Sequence, residues 1–336
     1  VIVELTKAEA ESWFTELPRQ RQIATLSPSY VQADAARDTT LNPLFLGYRE
    51  GDAFWLLGVH RGVVAIAPEY DDFQSPYGYG GPLCNCDDPA FLQRAWACYR
   101  VWCHDHRILV EFVRLHPLAV AWQPYFGEIR QDRSTVVIPL QVTDLRAGYA
   151  VRCRTAVRKA EQAGLGVEIR PNQEIAGRFA TFYRDGMAAI GAEPFYLFED
   201  AYFSALAQLP SVSLMVCTRD SEWLSAGLFF SAGETLEYHL SATSALGKKL
   251  AATNLLLDVA AAIGRDRGLQ QFYLGGGSDG RDDNPLLFFK AGFASTRAQF
   301  RFGYSIHHVD AYTALKESFL RNSSNPSNRI LFYRQN

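Results

Sequence analysis

Residues Asp266–Phe293 read DRGLQQFYLGGGSDGRDDNPLLFFKAGF. The stretch runs from a helix end through a strand-like FYL, a glycine turn and an acidic loop to Phe288-Phe289-Lys290, beside another glycine. A lysine framed by aromatic residues and glycines is placed rather than scattered. A desolvated ammonium needs an anion as partner, either standing or developing during a reaction. The alternative is a surface lysine whose methylenes lie over an apolar hairpin.

Two short motifs fall in the same stretch. Gly275, Gly277 and Gly280 satisfy G-x-G-x-x-G, but a dinucleotide site also needs a helix opening at the turn and an acid about 20 positions on. Arg281–Pro285 reads as loop, and Phe300 stands where the acid should be. Gly276, Ser278 and Gly280 satisfy G-x-S-x-G, whose nucleophile elbow needs Asp and then His to follow. Asp310 and His307 come in the reverse order; Asp283 could serve as the acid, but too little chain remains for a hydrolase sheet. A serine hydrolase stays as a remote alternative.

The chain has 336 residues, room for two ordinary domains. Its 48% hydrophobic and 21% charged residues suit a folded soluble protein. A net charge of -3 gives no global basic field, so DNA is not an expected partner and any nucleic-acid contact must be a local patch. No apolar run approaches the roughly 20 residues of a membrane span. The opening VIVELTKAEAESWF lacks the basic segment and cleavage site of a signal peptide, and the expected location is the cytoplasm. Six cysteines include Cys84-x-Cys86 and the run Cys103-His104-Asp105-His106, neither with zinc-site spacing. No metal is expected, and the thiols read as buried or idle.

Along the chain, AFWLLGVH and VVAIAP, covering Phe54–Ala67, form a hairpin joined near Arg61-Gly62. The loop SPYGYGGP (Ser75–Pro82) lets backbone come close to something. Its Tyr77 and Tyr79 line a pocket or cap the core. The strand ILVEFVRL ends at His116-Pro117, where an imidazole is poised to titrate near neutrality or is simply a satisfied structural histidine. Arg154 and Arg158 stand one helical turn apart on a shared face, a phosphate site or a solvated one. A helix is expected over about 172–190. Strands SLMVCTR, LSAGLFFSA and LEYHLSA follow, then a loop TSALGKKLAAT and a helix over 254–267. Lys248 and Lys249 precede that helix, whose dipole favours anions there. The order predicts a mixed sheet notched at the loop, and its weaker echo in the first half points to a duplicated fold.

Six segments, in order, then carry a resemblance: SPYGYGGP at Ser75, EFVRLHP at Glu111, RKAEQAGLGVEI at Arg158, FYRDGMAAIGA at Phe182, EYHLSAT at Glu237 and FYLGGGSDG with LLFFKAGF from Phe272. Over roughly residues 25–312 the chain resembles the Fem-type aminoacyl transferases and their FemAB-like acetyltransferase relatives. The resemblance implies an α/β protein of two tandem GNAT-like (acyl-CoA N-acyltransferase-like) domains with mixed sheets. Residues 1–147 would form the first, joined by 308–336, and residues 148–307 the second. It implies an N-acyltransferase that forms an amide, with aminoacyl-tRNA as co-substrate through its acceptor end and no tightly bound cofactor. Acyl-CoA is the alternative donor, and a non-catalytic ligand-binding module on the duplicated fold is the alternative class.

The resemblance also distributes roles. Phe289 and Lys290 match the family's Phe-Lys pair, where the donor's terminal adenosine and reacting ester are expected. Tyr238, with His239 beside it in EYHLSAT, and Lys248 would line the donor side, and Arg154 and Arg158 would bind substrate. Tyr77, Tyr79 and His116 would line the acceptor side. His116 stands where cell-wall branching relatives carry Asp, and is read as a general base. Departures matter too. Ala188 and Ala189 occupy positions where relatives grip a nucleotide-sugar diphosphate with arginine, which argues against a UDP-linked pentapeptide; of a cell-envelope precursor, a polysaccharide amine and a small amine-bearing specialised metabolite, it favours the latter two as acceptor. No Q/R-x-x-G-x-G/A loop precedes the helix at Asn254, which weakens acyl-CoA as donor.

Overall fold

The structure is a computed structural model and describes residues 1–281, 283–322 and 329–334. It divides into two compact units, Val1–Arg21 with Thr25–Gln131 and Arg301–Asn336, and Gln22–Ala24 with Asp132–Phe300. The expected return of residues 308–336 to the first domain includes 323–328 and 335–336, which lie outside the described residues.

The first unit starts with β1 (Val3–Leu5), α1 (Lys7–Glu16), α2 (Pro28–Asp34), β2 (Asn42–Glu50) and β3 (Ala53–Val63), followed by β4 (Asp71–Gln74), β5 (Leu83–Cys84), α3 (Pro89–Asp105) and β6 (Ile108–Leu115). Strand order is β1-β2-β3-β4-β6, with β5 on β3. β4 runs parallel to β6 and the hairpin β2–β3 is antiparallel, so this sheet is mixed. Gly51 turns the hairpin at φ +56, a conformation glycine adopts without steric cost. β3 is buried on both faces because helices cover both. Phe54 meets Trp13 of α1 and Gly58 lies against Val31 of α2. On the other side Trp55, Leu57 and Val59 pack with Phe91, Ala95, Tyr99 and Trp102 of α3. Those four recur at helical spacing, which is why α3 presents one apolar stripe.

β7 (Glu128–Pro139) leads into the second unit, which continues with α4 (Val151–Gln162), β8 (Gly166–Arg170), α5 (Ala180–Ala189), α6 (Asp200–Ala207) and β9 (Val212–Arg219). Then come β10 (Glu222–Ala232), β11 (Thr235–Thr243), α7 (Ala245–Leu250), α8 (Ala252–Asp266), β12 (Gln271–Gly276) and α9 (Pro285–Lys290). Strand order is β7-β12-β11-β10-β9-β8, and β11–β12 is a parallel pair. The core sets Leu255, Leu256 and Ala260 of α8 and Cys153, Val157 and Ala160 of α4 against Val136, Met215, Phe229 and Phe272 of the sheet. Each fully buried leucine there is worth about 1.5–3 kcal/mol. β13 (Arg297–Ile306) and α10 (Val309–Asn322) carry the chain back to the first unit. No described helix is long and apolar enough to cross a membrane.

Three elements differ from the sequence expectation. The hairpin foreseen between AFWLLGVH and VVAIAP is absent: β3 runs on through Arg61 and Gly62 to Val63, and its hairpin partner is β2. The helix foreseen over 172–190 is a 3-10 turn, one π-helical turn at Ile175–Phe179 and then α5. The stretch read as a loop before Asn254 is mostly helical. Ser244 caps α7 by accepting from the Gly247 N–H, and Ala251, in the left-handed region at φ 60, separates α7 from α8. The local run ALGKKL lacks an apolar period long enough to announce a six-residue helix.

The chain end is held by charge. Asp72, fully buried, accepts from Tyr333 Oη at 2.9 Å and from Arg334 Nε and a terminal guanidinium nitrogen, both at 2.7 Å. Asp72→Asn takes the counter-charge from the half-buried Arg334 guanidinium and should destabilise the protein by about 1–3 kcal/mol, read as a lower urea midpoint. Adding Arg334→Met should recover most of the loss.

Candidate functional site

β11 and β12 pair over three positions, Thr235–Gln271, Leu236–Phe272 and Glu237–Tyr273. Beyond them β12 stays on β7 with a register shift between Tyr273 and Gly275. β11 stays on β10, with a shift where Gly227–Phe229 faces Tyr238–Ser241. Both irregularities bend their strands, and the two strands part at their carboxyl ends. Crevices outside the carboxyl ends of parallel strands are where open α/β sheets bind ligands.

α9 delivers Lys290 to this parting. Asn284 caps the helix by accepting from the Leu286 and Leu287 N–H groups, and Pro285 supplies the pre-set first turn. Lys290, the last helical residue, is 9% exposed and donates from Nζ to Gly276 O at 2.9 Å. Nζ lies 6.0 Å from the centre of the Tyr238 ring. Gly275 is required twice: its φ is +77, and a Cβ there would stand 3.2 Å from Nζ. Among the described residues no carboxylate lies within ion-pair distance of Lys290. Loss of hydration alone therefore pulls its pKa down to about 7. Of three ammonium donors, the neutral Gly276 carbonyl occupies one. Such a group can meet a second acceptor, above all one becoming negative.

The other expected residues divide into those near this group and those placed elsewhere. Tyr238 is half-buried, donates to Ser241 Oγ, and has its phenol pushed up to about 12 by burial. Phe289 turns its ring edge toward Phe293 and packs on the core. Its neighbour Phe288 is 60% exposed instead, with the Arg152 guanidinium 3.9 Å above the ring and donating to Phe288 O at 2.8 Å. Sequence reading passed over this pair; the doubled FF was its one local signal. The Ala150 N–H donates to Gly292 O, which seats the start of α4 beside the end of α9. Arg154 donates to the carbonyls of Tyr149 and Arg146. With Arg158, Arg146 and Asp144 it lines a cavity of about 340 Å³. Arg146 is already held there by Asp258 and Glu161. Lys248 is exposed on α7. His239 follows Tyr238 directly and so faces the other way. Its Nε2 shares a 3.3 Å hydrogen bond with Tyr202 Oη and its ring sits on Phe230, which does not bring it to Lys290.

Tyr77, Tyr79 and His116 all lie in the first unit, and Tyr79 and His116 are in contact. Tyr77 is clamped through its backbone: its N–H donates to Asp34 and its carbonyl accepts from Tyr30 Oη. Tyr79 and His116 meet edge to face, ring centres 4.6 Å apart. His116 is buried, and its Nδ1 accepts from the Leu118 N–H at 3.2 Å, capping the turn Pro117–Ala119. In a neutral ring that places the proton on Nε2, so a base role would require the cap to open. A larger cavity of about 500 Å³ lies beside α5, lined by Arg178, Thr181, Arg184 and Asp200 among others. Its Arg184 is tied to Asp200 and Phe198 O, and its Arg178 is stacked on Trp223. Size notwithstanding, it offers no uncommitted cation comparable to Lys290.

A pKa lowered from 10.5 to about 7 is also a statement about stability. Between those values the unfolded chain binds the proton that the folded chain lacks, so stability rises with pH across the window. Lys290→Met should therefore be more stable than the parent at pH 7 and below, at about 1.4 kcal/mol per pH unit of displacement. The difference should vanish as pH passes 10. Urea unfolding of both proteins across that range checks it.

No protein-family model matches the chain, and no curated protein matches it by sequence. Solved structures do. FemX superimposes with a TM-score of 0.72 at 13% identity, over 94% of this chain and 99% of that one. L-PGS from Bacillus licheniformis gives 0.62 at 12% identity, over 99% and 98%. The C-terminal domain of a putative lysylphosphatidylglycerol synthetase from Agrobacterium fabrum gives 0.57 at 14%, over 94% and 98%. The Fem resemblance read from six short segments thus holds at the level of fold: this chain is an α/β protein with the fold of FemX.

Proposed function

We propose that the protein is an N-acyltransferase that forms an amide bond, taking an aminoacyl group from aminoacyl-tRNA and giving it to an amine-bearing acceptor. The observation that carries this reading is Lys290, a buried ammonium at the parting of β11 and β12 with a neutral carbonyl as its partner. In the reaction the amine nitrogen bonds to the ester carbonyl carbon, the C–O bond to the ribose breaks, and the hydroxyl leaves with the proton the amine gives up. Negative charge gathers on the carbonyl oxygen before that bond breaks. A pre-placed cation in a dry site stabilises it by an amount of order 10²–10³ in rate.

Two features support tRNA over acyl-CoA as donor. Gly247 packs so closely that a Cβ would lie 2.0 Å from Leu224 O, which fastens α7 where an open glycine loop would otherwise precede α8. The exposed Phe288 with Arg152 above it, and Arg154 and Arg158 further along α4, match an aromatic face for a base and guanidinium groups for phosphates. Ala188 and Ala189 are exposed on α5 and offer no grip on a diphosphate, in line with a polysaccharide amine or a small metabolite as acceptor. In this reading Tyr79 and His116, which touch edge to face in the first unit, contribute to binding the amine, with His116 positioning the Tyr79 ring.

Incubating the protein with charged tRNA and, separately, with acyl-CoA, each with candidate amines, should consume the tRNA ester and yield an amide by mass spectrometry. Lys290→Met should lower kcat about 100-fold with KM little changed. Because the ammonium is the active form, the parent's kcat should fall as pH rises above about 7. Consumption of acyl-CoA instead would overturn the donor, and ligand protection without turnover would make the protein a binding module. His116→Ala should raise KM for the amine and leave kcat little changed; a large loss of kcat at unchanged KM would favour a general-base role instead.

A further inference from the structure

Cys84 and Cys86 lie outside the site described above, in the first unit. Cys84 ends β5, paired with Trp55 of β3, and is fully buried; Cys86 is half-buried in the segment that follows. β5 ends at Cys84 and the chain bends at Asn85, and the two sulfurs are 3.6 Å apart. Backbone donors and a cation surround them. The Cys86 N–H points at Cys84 Sγ at 3.4 Å, and the buried Arg21 guanidinium donates to Cys84 O at 2.8 Å and Cys86 O at 3.2 Å while pairing with Asp87. Arg21 thus pins the backbone on both sides of Asn85, so the sulfurs meet by side-chain rotation. Closing to the bond length of about 2.05 Å asks for roughly 1.5 Å of sulfur movement. Cys103, Cys153 and Cys217 are buried free thiols.

We propose that Cys84 and Cys86 form a thiol-modification site in which Cys86 reacts with a low-molecular-weight disulfide and Cys84 resolves the adduct into an intrachain disulfide. In the first step the Cys86 thiolate attacks one sulfur of the reagent, whose S–S bond breaks and releases one thiolate. In the second, Cys84 loses its proton and attacks Cys86 Sγ, and the second reagent thiolate leaves. The two protein thiols give up two electrons and two protons; the reagent disulfide becomes two thiols. Order follows from exposure, since the reagent reaches Cys86 and not Cys84. Burial pushes the Cys84 thiol up to about 12, which makes resolution the slower step and Cys84 a poor leaving group once the bond exists. This inference is independent of the proposed transferase activity.

The test uses the full chain and oxidised glutathione, with remaining thiols alkylated after acid quenching. Trypsin gives one peptide, Gly62–Arg94, that carries both residues and no other cysteine. In the parent it should pass through a one-glutathione adduct on Cys86, then lose two hydrogens and both alkylation sites, and regain them with dithiothreitol. Cys84→Ala should halt at the Cys86 adduct, and Cys86→Ser should leave Cys84 alkylatable only after unfolding. A parent peptide that stays doubly alkylated, or that keeps glutathione without losing hydrogens, overturns the proposal, and either result is read without any variant.

Discussion

Taking an ammonium out of water costs several kcal/mol unless a charge answers it, and the end of α9 does this with a single peptide carbonyl for company. Much of the local architecture of the second unit is what that placement requires. Gly275 has no side chain because one would press on Nζ, and its positive φ makes the irregularity that turns β12 away from β11. Asn284 fixes where α9 begins, and Tyr238 presents a ring face to the cation from the facing strand. A structure arranged this way tolerates an unfavourable ground state, which is expected where charge must be met during a reaction rather than before it.

Two buried carboxylates of the first unit are answered directly. Asp72 is answered by Arg334 and Tyr333, and Glu111 accepts from both Tyr99 and Tyr125. Asp34 uses its charge to fix the Tyr77 backbone, so a glycine-rich loop is held from α2 rather than left to its own flexibility.

Local sequence made parts of this legible. FFKAGF marked the lysine because aromatic and glycine neighbours signal desolvation at short range. The fold class could be read from strand and helix order, and the resemblance from six spaced segments. What could not be read depends on contacts distant in sequence. The parting of β11 from β12 joins residues some 36 apart, and Arg152 meets Phe288 across 136 positions. The strand pattern of EYHLSAT does carry the fact that Tyr238 and His239 face apart, and it argued against grouping them. The His116 cap was hidden because Pro117 reads equally well as a strand end or a first helical turn.

α9 has only six residues, the last of them the lysine it presents, counted from a fixed cap at Asn284. Each residue of an α-helix turns the next by about 100°. One residue inserted or removed between Asn284 and Lys290 would swing the ammonium a quarter-turn or more around the axis and shift it along it. The helix therefore acts as a ruler, and length within it is a tighter constraint than the identity of Leu286 or Phe288 on its outer side.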